Sequence, residues 1–189
     1  MTRVRLELDH LLIHRPKKRW KLYFVVAAEH PTDSDKMVVS VLPQETILVV
    51  PGQNNEVFFE PKGPGANGLF ILSRKMPSSR ELNVHVYAMH SRRSVSEIGK
   101  ILQDLETGIG GDAFGLVVQI LGTTNPWLAI ARKALPMIGK ILEKIPDRQM
   151  GFVSMFERFG PEFETDAEID RESRGGNITM VYSWAMDDD

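Results

Sequence analysis

Five histidines, His10, His14, His30, His85 and His90, are the first residues to test for chemistry. None stands in the His-Glu-x-x-His spacing that puts two imidazoles on one helix face around zinc. His85 and His90 bracket one strand end, where a surface or core role outweighs a metal-binding one. The chain has no cysteine, which removes thiolate nucleophiles, Cys-based zinc or iron–sulfur sites and disulfide scaffolds together. Ser154 lies in Gly151-Phe-Val-Ser-Met-Phe156 rather than in a Gly-x-Ser-x-Gly elbow. Gly108-Ile-Gly-Gly111 is no Walker A sequence and fits a helix C-cap. Glu164, Asp166, Glu168 and Asp170 occupy alternate positions, about 6.5–7 Å apart along a strand. Such a ladder could hold a cation or supply a carboxylate pair, but a solvated strand face is the simpler reading. No catalytic constellation assembles, so the expectation is a non-enzyme with no catalytic residue, no metal and no cofactor.

The binding candidates lie elsewhere. Ala113–Ala131 runs nineteen residues without a charge. A transmembrane helix needs about 20 apolar residues without interruption, and Gly122-Thr-Thr-Asn-Pro126 breaks this run in the middle. It reads as an apolar helical hairpin with Trp127 near its bend. Helices apolar on all sides are normally buried, so core packing is the first expectation, ahead of an oligomer or partner interface and of membrane contact. In the binding readings Trp127 and Leu128 form the tip, and Arg132 and Lys133 supply cations beside it. A second candidate is the basic loop Arg15, Lys17, Lys18 and Arg19.

The elements that must position these residues follow from periodicity. The first 93 residues read as strands: Val4, Leu6 and Leu8 alternate with Arg3, Arg5, Glu7 and Asp9, and Leu82, Val84, Val86 and Ala88 do the same later. Pro and Gly punctuate between them, at Pro43, Pro51-Gly52, Lys62-Gly-Pro-Gly65 and Pro77. From Ser94, with Glu97 as a capping box, the spacing turns helical. Helices are expected after Ser94, over Ala113–Leu121, from Asn125-Pro126 to about Ile145, and from Asp147, where Met150, Val153, Phe156 and Phe159 recur every three residues. Strands return in the acidic stretch after Pro161 and in Ile178–Trp184, joined by Arg174-Gly-Gly-Asn177. The fold class expected is α+β, a single domain of 1–189: an antiparallel β-sandwich of 1–93 plus 161–189 with an all-helical insertion over 94–160.

Charge is uneven along this frame. The chain carries 23 basic and 25 acidic residues, a net of −2, and gives no reason to expect nucleic acid. Residues 1–21 are strongly basic and 161–189 strongly acidic. Two terminal strands lying side by side explain that asymmetry more simply than a ligand does.

Two stretches resemble the C2-domain family of calcium- and phospholipid-binding β-sandwiches. Asn54-Asn-Glu-Val-Phe-Phe-Glu60 is similar to that family's asparagine followed by an "n-E-x-F-x-F" strand. Leu82-Asn-Val-His-Val-Tyr87, with Ile98-Gly99 beyond it, is similar to its "L-x-V-x-V … I-G" stretch. Where the family places calcium-binding aspartates, this chain has Met89-His-Ser-Arg-Arg93, and only Asp33 and Asp35 remain in an earlier loop. Calcium takes about 6–8 oxygen ligands, so the resemblance implies a C2-like sandwich that works without it. The function expected is an interaction module binding a protein partner or an anionic membrane surface, with a second copy of the chain as a further partner. The alternatives are a secreted or pore-forming protein that inserts the hairpin, and an enzyme with its site between sheet and insertion. Because MTRVRLELDH has no apolar h-region, the location expected is cytoplasmic, peripheral to a membrane.

Overall fold

Alternation carries through into the first strand, and a single irregularity in it shapes the sheet. In the computed structural model, which describes residues 2–14, 19–29, 36–52, 55–59, 68–91, 118–120, 129–131, 147–163 and 168–188, β1 (Thr2–Ile13) buries Val4, Leu6 and Leu8 on one face. Its register with the last strand then slips between Leu8 and His10. This bulge at Asp9 changes the parity, so Leu11 and Ile13 return to the core side.

The described strands form two sheets packed face to face. In the first, β1 pairs on one edge with β11 (Ile178–Asp188), which pairs in turn with β10 (Ile169–Gly175). On its other edge β1 pairs with β4 (Glu56–Phe58) and β5 (Leu69–Lys75). The second sheet runs β3 (Lys36–Val49), β2 (Trp20–Glu29), β6 (Glu81–His90) and β9 (Arg148–Arg158), all antiparallel. β7 (Val118–Ile120) adds to β3 in parallel and β8 (Ala129–Ala131) antiparallel. The inner faces meet in one apolar core, from Leu6 and Leu8 through Phe24, Val84 and Val86 to Met155 and Trp184.

The uneven charge of the termini resolves into this pairing. β1 and β11 lie antiparallel from Thr2 opposite Asp188 to Ile13 opposite Ile178. Arg5 stands 3.3 Å from Glu7 and 3.8 Å from Asp187. The Arg5–Asp187 pair spans β1 and β11, and a cross-strand pair of this kind contributes about 0.2–1 kcal/mol.

The α+β class with its all-helical insertion over 94–160 is overturned. No α-helix occurs among the described residues, and three parts of the expected insertion are strands. In β9 Val153, Met155 and Glu157 are buried while Phe152, Ser154, Phe156 and Arg158 are exposed, which is period two rather than three. The spacing Met150, Val153, Phe156, Phe159 matched a helix because aromatic residues occupy both faces of this strand. β7 and β8 lie inside the two apolar helices expected over 113–121 and 125–145; there the backbone groups of β3's outer edge found strand partners. The capping box at Ser94 and Glu97 lies outside the described residues.

The two sheets are joined along one side. Gly151 and Gly175 meet so closely that a methyl on Gly175 would fall on the Phe152 carbonyl and one on Gly151 on the Gly175 carbonyl. The Asn177 amide donates to the Met150 carbonyl at 3.2 Å. The turn between β10 and β11 places Gly176 first at φ +63°, a conformation suited to a two-residue hairpin. Further along the same side, Arg171 of β10 lies 2.9 Å from the nearly buried carboxylate of Glu157 on β9. Beyond it the short 3-10 turn Pro161–Phe163 seats Phe163 against Phe159, which packs edge-on to Trp184 at 5.5 Å.

Candidate functional site

The glycine seam fixes what stands at one end of the sandwich. By bringing Met150 against Asn177, it carries the start of β9, with Arg148, to the same end of the sandwich as the end of β10, with Arg174. Both line an open cleft of about 980 Å³, as do His14 at the end of β1 and Trp20 at the start of β2. Asn55 and Asn177 add to its polar wall, and Glu56 is the one carboxylate among its described lining residues.

Main-chain bonds hold this end together. The Ile13 amide donates to the Asn55 carbonyl and the His14 amide to the Asn177 carbonyl, both at 2.8 Å. The imidazole Nε2 of His14 lies 2.8 Å from the Thr179 hydroxyl. Trp20 packs on the core edge and has His90 beside it, ring centroids 6.4 Å apart. His90 Nδ1 in turn lies within hydrogen-bond distance of the Lys21 main chain.

Electrostatically the cleft is cationic. Arg148 and Arg174 are exposed and have no acidic partner among the described residues. Exposed Arg19 and Lys21 flank Trp20. Glu56, the opposing charge, is 3.9 Å from His10 on the outer face of the first sheet. Two free guanidiniums, an indole and side-chain amides make a surface suited to an anion and unsuited to a cation.

Of the sequence-predicted binding residues, Arg19 alone is described; it is exposed and directly precedes β2. Arg15, Lys17, Lys18, Trp127, Leu128, Arg132 and Lys133 lie outside the described residues, as do Asp33 and Asp35. Arg148, Arg174 and Trp20 were missed. No local pattern links the two arginines, and the only written sign was the turn Gly175-Gly176-Asn177, which was read as a hairpin without its contact to β9.

The other chemical candidates disperse. His85 faces outward from the second sheet, over Phe152 at 5.6 Å, and burial lowers its pKa. His90 pairs with Leu22 on the inner side, so the two histidines cannot share an ion. Ser154 donates to the Asn83 side chain at 2.8 Å and stands opposite His85 across β6 and β9, with no hydrogen bond to that imidazole among the described residues. Asp170 and Glu172 of the acidic ladder are exposed on β10. On the same outer face Glu7 accepts the Gly68 amide at 2.8 Å, and burial raises its pKa against the opposing pull of Arg5. Among the described residues no cluster of three histidine or carboxylate side chains could hold a metal ion.

No helix among the described residues is long and apolar enough to cross a membrane. No family model and no curated protein matches the sequence. Among solved structures the chain is similar to a Drosophila C2-DSL-EGF1 structure, with a TM-score of 0.41 and 8% identity, over 100% of this chain and 68% of that one. At that similarity nothing about ligand or activity follows.

Proposed function

We propose that this chain is a non-enzymatic, C2-like interaction module that engages an anionic membrane surface through the cationic end of its sandwich, without calcium. The observation that carries the reading is the convergence of Arg148 and Arg174, both free of acidic partners among the described residues, on one cleft with Trp20. Cations around an indole suit the boundary between headgroups and water. Calcium independence rests on Met89-His-Ser-Arg-Arg93 standing where the family it resembles carries aspartates.

Co-sedimentation with phosphatidylserine and phosphatidylcholine vesicles, at low and high salt and with or without calcium, tests the proposal. The expected result is binding to the anionic vesicles alone, weakened by salt and indifferent to calcium. Arg148→Gln with Arg174→Gln should reduce it. Absence of binding under every condition rejects the membrane surface and leaves a protein partner as the module's target.

A further inference from the structure

The cleft is too large and too varied to serve only as a patch of positive charge. A bare inorganic anion occupies a small part of about 980 Å³, a volume at the upper end of pockets that enclose whole small molecules, about 300–1,000 Å³. The rest of its wall is specific. Glu56 accepts hydrogen bonds and repels a second anionic group. Asn177 offers donors and an acceptor, and Asn55 offers its amide donors, its Oδ1 already accepting the Gly52 amide at 3.4 Å. Trp20 presents an indole, and Leu12 and Met150 add apolar surface.

The two arginines narrow the anion. Each guanidinium is a planar fork that can bind two oxygens at once. One carboxylate satisfies one fork, whereas a phosphate monoester has three terminal oxygens and two negative charges to share between both. The seam between Met150 and Asn177 holds the two strand ends together, so the backbone that carries both arginines is fixed before a ligand arrives.

We propose that the cleft seats a sugar phosphate. Its phosphate lies between Arg148 and Arg174, its hydroxyls meet Glu56 and the asparagine amides, and its ring lies against Trp20. The inference rests on the cationic cleft of the proposed function but asks for a discrete ligand rather than a charged surface. A soluble sugar phosphate and a lipid headgroup carrying the same group share this chemistry; soluble and vesicle-bound probes separate them.

The test is calorimetric titration of the full chain with glucose 6-phosphate, glucose and inorganic phosphate, alongside Trp emission and the phosphatidylserine co-sedimentation. Saturable binding of glucose 6-phosphate is expected, with glucose and inorganic phosphate each weaker by about tenfold or more. Arg148→Gln and Arg174→Gln, both at exposed positions, should each weaken it by about tenfold or more. Trp20→Phe should abolish the emission change while calorimetric binding persists. Failure of glucose 6-phosphate to bind overturns the inference, and salt-sensitive vesicle binding in the same preparation would leave the membrane reading standing. Equal affinity for inorganic phosphate also overturns it, since the hydroxylated body would then contribute nothing.

Discussion

Arg80 is the one non-glycine among the described residues with a left-handed backbone, at φ 53°, and its bonds explain why it stays there. Its amide closes the turn onto the Pro77 carbonyl at 2.9 Å, its carbonyl accepts the Phe159 amide at 2.8 Å, and its Nε donates to the Phe159 carbonyl at 2.7 Å. The residue thus clamps the chain just past β9 on both sides of one residue, Phe159. Arg80→Ala removes the side-chain bond and keeps the backbone cost, and should destabilise by about 1–2 kcal/mol in urea unfolding. Arg80→Gly removes the same bond but relieves the conformation, and should be the milder change by about 1 kcal/mol. His85 gives a second test at this scale. Burial holds its imidazole below the ordinary 6.5, so between the two values the unfolded chain binds more protons than the folded one. Its contribution is complete above the ordinary value and lost as pH falls through the folded one. Stability should therefore decline as pH falls below the ordinary imidazole value, and His85→Phe, which keeps a ring over Phe152, should flatten that slope in denaturation series.

Between elements, the contact of β9 with the β10–β11 turn decides more than any strand ladder. Gly175→Ala would drive a methyl into the Phe152 carbonyl, where backbone rather than a flexible side chain must yield. A loss of about 3 kcal/mol is expected by thermal or chemical unfolding, together with a loosened cleft, because Arg148 and Arg174 are carried by the two strands involved. The same contact marks the limit of what the sequence made legible. β1 and β6 were readable because their polar and apolar residues alternate one for one. β9 was not: Phe152 and Phe156 sit on the exposed face and Val153 and Met155 on the buried one, so hydrophobicity alone did not separate period two from period three. β7 and β8 are three residues each and gain their form from pairing with β3, a tertiary effect that local propensity does not contain. The cleft was harder still, since its arginines are distant in sequence and come to one cleft through strands joined at two glycines whose role is to lack side chains.

For the molecule as a whole, the two sheets leave little unprotected backbone along the side where β9 meets β10. β10 presents Asp170, Glu172 and Arg174 outward, and charged side chains on an edge strand discourage pairing with another copy. The outward face of β2 is also withdrawn from solvent: Tyr23, Val25 and Ala27 are buried there, and the Tyr23 hydroxyl donates to Asp147 at 3.0 Å. Charge is sorted by region as well, carboxylates lining the outer face of the first sheet and free guanidiniums the cleft at its end. The pairing of the first and last strands has a mechanical consequence. Thr2 stands opposite Asp188, so a pull on those two points acts across the strands rather than along them. The load then falls on one hydrogen bond at a time, and the sandwich opens like a zipper, strand from strand, instead of resisting in shear.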